Sequence, residues 1–179
     1  MHDDIEAVLL SEAAIHRRLD ELARRITADY DDGQPLSVVA LLNGSIPFLA
    51  DLLRRIPLPL RVESLRVSSY QGRASRGTVR FHEPALPEVC GRRVLLVDDI
   101  LDTGETLRAV QERFTAEAGA SDLRTCVLLR KERQIPPRAQ ADYVAFSIPD
   151  RFVVGYGLDC DGLYRNLPYI GVLREERAP

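Results

Sequence analysis

Short runs of consecutive apolar residues alternate along this chain with stretches whose apolar positions recur at helical spacing. Residues 37–42 (Ser37-Val38-Val39-Ala40-Leu41-Leu42), 94–97 (Val94-Leu95-Leu96-Val97) and 125–129 (Thr125-Cys126-Val127-Leu128-Leu129) are of the first kind. Runs of this length suit strands buried on both faces, as at the centre of a parallel sheet. Residues 60–69 alternate more loosely, and 143–146 and 152–154 are shorter strand candidates.

Between them lie the helical patterns. Ser11 can cap a helix that carries the stripe Ile15, Leu19, Leu22 and Ile26, which Gly33-Gln34-Pro35 breaks. Asn43-Gly44-Ser45-Ile46-Pro47 reads as a turn into a second helix, with Pro47 tolerated in its first turn and Phe48, Leu49, Leu52 and Leu53 on its apolar face. A third helix follows Thr106, with Leu107, Val110 and Phe114 in register. Residues 70–78 contain two glycines and nothing aliphatic longer than Ala, so a mobile loop is expected there. Strands alternating with helices predict an α/β fold with a mostly parallel central sheet flanked by helices.

Composition adds bounds rather than a function. A chain of 179 residues fits one domain, 1–179, with its own core. Its hydrophobic fraction of 45% and charged fraction of 28% are ordinary for a globular protein. A net charge of −3, with basic residues scattered, points to neither a nucleic-acid nor a membrane surface. Arg130-Lys131-Glu132-Arg133 is the densest basic run, short and interrupted. The N-terminus is acidic and unlike a signal peptide. Cys90, Cys126 and Cys160 are far apart, as expected of free thiols in a reducing cytosol, so a cytoplasmic location is expected. His2, His16 and His82 have no metal-ligand spacing.

Candidate chemistry concentrates in Val94-Leu95-Leu96-Val97-Asp98-Asp99-Ile100-Leu101-Asp102-Thr103-Gly104-Glu105-Thr106-Leu107. It reads as a buried strand ending in paired carboxylates, then a third carboxylate, a hydroxyl-and-glycine turn and a helix start. Sites in parallel sheets lie at the carboxyl ends of strands. Free N–H groups at a helix start, beside Thr hydroxyls, form a phosphate cradle. Acids at a strand end can simply cap the next helix. Three acids within five residues, followed by a phosphate-type turn, outweigh that reading. The acidic strand of a P-loop nucleotidase is excluded: Gly72 and Gly77 have the four-residue gap, but Thr78 stands where the Lys should be. The segment therefore describes a site for a phosphorylated sugar.

This stretch resembles the phosphoribosyl-diphosphate motif of the type I phosphoribosyltransferases, and within them the hypoxanthine (hypoxanthine-guanine) phosphoribosyltransferases. The narrower likeness rests on Leu41-Leu42-Asn43-Gly44-Ser45, on Ser68-Ser69-Tyr70, and on the long segment Phe146-Ser147-Ile148-Pro149-Asp150-Arg151-Phe152-Val153-Val154-Gly155-Tyr156-Gly157-Leu158-Asp159. It runs from about the first helix to Leu173. The resemblance implies a small hood built from the chain termini (the N-terminal residues and about 150–179) beside a core of about 11–150. It also implies a homodimer or homotetramer, Mg²⁺ as cofactor, and phosphoribosyl diphosphate and a purine base as substrates.

Residue by residue, the resemblance implies the following roles. Thr103, Gly104, Glu105, Thr106 and Leu107 form the 5-phosphate loop, and Asp98 and Asp99 accept from the ribose hydroxyls or lie next to Mg²⁺. Asn43-Gly44 is the diphosphate loop, carrying Asn43 where the family often has Lys or Arg, with a cis peptide expected between Asn43 and Gly44. Asp159 is a direct Mg²⁺ ligand and Arg165 contacts diphosphate. Phe152 stacks on the purine, Val153 pairs with it through its backbone, and Lys131 donates to an oxygen at purine position 6. Asp102 is the general base. Ser68, Ser69 and Tyr70 begin a lid. A regulatory RNA-binding relative of the same fold is the main alternative. The acidic balance and the intact 152–159 match count against it. A phosphoribosyltransferase for xanthine or another base is the second.

Overall fold

The computed structural model describes residues 2–70 and 78–178; the loop expected at 70–78 falls mostly outside them. Six strands form the main sheet: β2 (Leu36–Leu42), β3 (Leu60–Tyr70), β4 (Thr78–Phe81), β5 (Arg93–Leu101), β6 (Asp122–Glu132) and β7 (Tyr143–Pro149), in spatial order β4-β3-β2-β5-β6-β7. Only the β3–β4 pair is antiparallel. The expected α/β architecture is the observed one.

The continuous apolar runs have a direct explanation in the two cores. Val38, Leu95, Val97 and Leu128 face a cluster completed by α1 (Glu12–Tyr30) and α2 (Ile46–Leu53). Their neighbours Val39, Leu41, Val94 and Leu96 face the opposite cluster with Val110 and Phe114 of and beyond α3 (Glu105–Arg113). Alternate residues therefore enter opposite cores, so the run is apolar at nearly every position. The α1 stripe Ile15, Leu19, Leu22 and Ile26 is fully buried, and Ser11 Oγ caps the helix by accepting from Ala14 N–H at 3.3 Å. Truncating any of these leucines should cost about 2–5 kcal/mol.

A second, antiparallel sheet joins the two ends of the chain. Its order is β1 (Ile5–Leu10), β9 (Ile170–Leu173), β8 (Val153–Val154). This is the hood. Ile5, Val154, Leu167 and Leu173 form its small core, with Phe152, Tyr164 and Tyr169 packed against them. Gly171 pairs with Val8 and Val154, and a side chain there would come within 2.7 Å of Ile5 Cγ2.

Two expectations need correction, and three strands were not foreseen. The strand carrying the acid pair does not end at Asp98-Asp99 but continues through Leu101, paired with β6 up to Leu101↔Arg130. Phe152 lies outside β8, which is only two residues long. Strands β1, β4 and β9 escape the sequence pattern altogether. β1 and β9 are stabilised by each other from opposite ends of the chain, a non-local pairing that no local window contains.

Candidate active site

The sheet reverses its winding between β2 and β5: β3 lies on one side of β2, and β5, β6 and β7 extend on the other. A crevice opens at such a switch point, beyond the strand carboxyl ends. The β2–β5 pairing stops at Ala40↔Val97, whereas β5 stays paired with β6 beyond it. Asp98 and Asp99 therefore emerge where β2 has turned away into Asn43-Gly44. A cavity of about 360 Å³ occupies this place, lined by Asn43, Gly44, Asp98, Asp99, residues 100–107, Asp159 and Arg165 among others.

The acid pair is tightly placed. Asp98 Oδ1 accepts from the Asp99 N–H at 3.0 Å. Burial pushes the Asp98 carboxyl well above its ordinary range, and the neighbouring Asp99 charge pushes it further. Burial also raises Asp99, against the opposing pull of its hydrogen bond with Asp98 and of Arg165. A ligand offering hydroxyls or positive charge would relieve both.

The Asn43-Gly44 turn is wedged between two walls. A Cβ on Gly44 would fall 1.5 Å from Asp99 Oδ2, and a Cβ on Gly157 would fall 1.9 Å from the Gly44 carbonyl oxygen. Gly157 also has φ +102°, where a side chain is strained in any case. Arg165 Nη1 donates to the Gly157 carbonyl at 2.6 Å and Nη2 pairs with Asp159 Oδ1 at 2.7 Å. The other Asp159 oxygen accepts from the Gly162 N–H at 2.7 Å. The non-proline cis peptide is present one bond earlier than expected, between Leu42 and Asn43.

The phosphate-type turn is shorter than expected. Gly104 caps α3 with φ +80°, and Glu105, not a residue after Thr106, begins the helix. The turn is braced from outside: the Thr103 carbonyl accepts from the Arg138 N–H at 2.8 Å, and a Cβ on Gly104 would meet backbone nitrogens of Arg138 and Ala139 at 2.8 and 2.7 Å. Leu107 is buried with Leu101, Val127 and Ala139. Only its backbone can face a ligand.

Asp102, on the cavity wall, belongs to a closed ring of charge whose other members, Lys131, Arg133 and Asp150, lie outside the cavity lining. Lys131 Nζ lies 3.4 Å from Asp102 Oδ2 and 3.3 Å from Asp150 Oδ1. Arg133 Nη1 donates to Asp102 Oδ1, and Arg133 Nε is 3.6 Å from Asp150 Oδ2. Arg133 and Asp150 were missed as site residues. Arg133 lies just beyond β6, and it joins Lys131 through their shared partners Asp102 and Asp150. Phe152 and Val153 do not line the cavity: Phe152 packs on the hood core, and Val153 is buried and paired with Val172. Ser68 Oγ hydrogen-bonds His82 Nε2 at 2.9 Å, while Ser69 and Tyr70 pair with Val79 and Thr78.

Residues 8–161 match the family model described as phosphoribosyl transferase domain. The chain belongs to the phosphoribosyltransferase family. Similar phosphoribosyltransferases include the hypoxanthine-guanine phosphoribosyltransferase of Streptococcus pneumoniae, 41% identical over 177 residues that cover 98% of this chain and 97% of that protein. A crystal structure of a hypoxanthine phosphoribosyltransferase from Staphylococcus aureus superposes with TM-score 0.90 at 40% identity, covering 98% of this chain and 95% of that one. The Trypanosoma cruzi hypoxanthine phosphoribosyltransferase in complex with the product IMP gives TM-score 0.87 at 39% identity, covering 98% of each chain.

In this phosphoribosyltransferase no group of three or more His, Cys, Asp or Glu among the described residues could by itself hold a metal ion. The acids on the cavity wall, Asp98, Asp99 and Asp159 among them, offer hard oxygen donors. Mg²⁺ accepts one or two carboxylates when phosphate oxygens and waters complete its shell. The donor set fits an ion carried largely by a polyanionic substrate. No helix among the described residues is long and apolar enough to cross a membrane.

Proposed function

We propose that this chain transfers the 5-phosphoribosyl group from phosphoribosyl diphosphate to a nitrogen of a 6-oxopurine, hypoxanthine first and guanine second, giving IMP or GMP and diphosphate. The observation that carries this reading is the single cavity in which a phosphate-type turn, an acid pair and the Asp159–Arg165 pair meet, with Asp102 on its wall and Lys131 paired to Asp102.

The 5-phosphate binds the Thr103–Leu107 turn through backbone N–H groups and the Thr103 and Thr106 hydroxyls. Asp98 and Asp99 accept from the ribose hydroxyls. The Asn43-Gly44 backbone and the Arg165 guanidinium receive the diphosphate; Asn43 contributes no charge, so Arg165 carries more of that task. Asp159 would hold Mg²⁺, which supplies charge neutralisation to the departing diphosphate when bound.

Lys131 donates to the oxygen at purine position 6, Val153 offers backbone groups to the base, and Phe152 turns from the hood core to stack on it. As the C–N bond to the purine forms and the C–O bond to diphosphate breaks, Asp102 receives the proton released from the imidazole ring. Ser68, Ser69 and Tyr70 are assigned to the lid over the oxocarbenium-like transition state. Function in the cytoplasm as a homodimer or homotetramer goes with this reading.

Turnover of hypoxanthine, guanine, xanthine and adenine with phosphoribosyl diphosphate, with Mg²⁺ and with excess chelator, tests it. Activity with hypoxanthine that needs Mg²⁺ is expected. Full activity in chelator, or turnover of xanthine alone, would overturn it. Asp159→Ala should raise the Mg²⁺ concentration needed, and Glu63→Ala, on the exposed face of β3, should not.

A further inference from the structure

Glu105 puts a negative charge into the wall of the cavity, at the first residue of α3, beside the turn assigned to the 5-phosphate. A carboxylate at a helix N-terminus is favourable to the helix itself. For an incoming phosphate it is a like charge competing for the same N–H groups. Two arginines engage it. Arg138 Nε lies 3.0 Å from Glu105 Oε1, and Arg108 Nη2 lies 3.4 Å from Oε2. Arg108 is also committed to Glu112 at 2.8 Å. Arg138 has no second acidic partner among the described residues, and its contact is the shorter.

Arg138 approaches from behind. It does not line the cavity but belongs to a neighbouring hollow of about 620 Å³, which shares Thr103 and Glu105 with the cavity as a common wall. Its backbone is held to the turn, with its N–H donating to the Thr103 carbonyl at 2.8 Å, so the side chain starts from a fixed point. We propose that Arg138 is a positioning residue for the sugar phosphate: it draws the Glu105 carboxylate out of the phosphate socket and neutralises it, without touching the ligand itself. This rests on the reading of residues 103–107 as the 5-phosphate loop.

The pair is partly exposed, with Arg138 at 66%, so solvent screening keeps the effect modest. At low salt, Arg138→Ala should raise the KM for phosphoribosyl diphosphate, and the Kd of ribose 5-phosphate measured by calorimetry, about three- to tenfold, with kcat little changed. In the Glu105→Gln background the same substitution should have no effect on either. Arg138→Lys should retain most of the wild-type affinity. An equal loss in both backgrounds would show that Arg138 contacts the ligand or supports the fold, and would overturn the proposal. So would the absence of any loss in the Glu105 background. Melting temperatures of all variants identify a fold defect. Failure of the wild-type protein to bind either phosphate ligand would instead remove the assignment of the 5-phosphate loop, a distinguishable result.

Discussion

Lys131 Nζ stands 3.4 Å from Asp102 Oδ2, so the cation assigned to the base's oxygen and the carboxylate assigned to its proton hold each other before any base arrives. Each is also held from the far side, Lys131 by Asp150 and Asp102 by Arg133. On the proposed reading, a 6-oxopurine would find this donor and this acceptor side by side.

Selectivity should follow. An ammonium facing the 6-amino group of adenine meets another donor, and unpaired buried polar groups cost about 1–3 kcal/mol each. Lys131→Met is expected to lower kcat/KM for hypoxanthine and narrow its lead over adenine. Steady-state assays of both bases check this. Equal use of adenine and hypoxanthine by the wild-type protein would contradict the role of Lys131.

Asp102→Asn keeps the shape of the ring and removes the proton acceptor. The variant should melt near the wild-type temperature and lose about 10²–10⁴-fold in kcat. A near-normal rate would leave Asp102 as a partner of Arg133 and nothing more.

The acid pair predicts a pH dependence of stability. Asp98 has its folded-state pKa raised, by burial first and by the Asp99 charge second. Its contribution is fully present below the unfolded carboxylate range and is lost as pH rises through the raised folded value. Asp98→Asn removes the cost of ionisation, so its gain in Tm over wild type should be larger at pH 8 than at pH 5. Thermal melts of the ligand-free protein across that interval would show it. A gain independent of pH would mean that Asp98 ionises freely in the fold.

Gly44→Ala tests the wedge. Its Cβ would stand 1.5 Å from Asp99 Oδ2, so the carboxylate or the turn must move. Overpacking of this kind costs about 1–3 kcal/mol of stability. The KM for phosphoribosyl diphosphate should rise more than that for hypoxanthine, because the displaced groups are those assigned to its diphosphate and ribose. Equal change in both would place the damage elsewhere.

Much of this architecture is local and therefore written in the chain. The runs at 94–97 and 37–42 are apolar at nearly every position because both faces of a central parallel strand are covered, and that alone reads as an α/β sheet. The Asp98–Leu107 segment reads as a sugar-phosphate site because carboxylates, hydroxyls and a glycine at a helix start share one short stretch. What depended on distant partners was decided only in three dimensions. β1 forms against β9 across the whole chain length. Gly44 is confined by Asp99 and Gly157, which are remote in sequence. Asp102, Lys131, Arg133 and Asp150 come from three segments, and only the parallel register of β5, β6 and β7 brings their charges into one ring. Local periodicity reports which face a residue uses; which residue it meets there depends on strand order and register, set by the packing of the whole sheet.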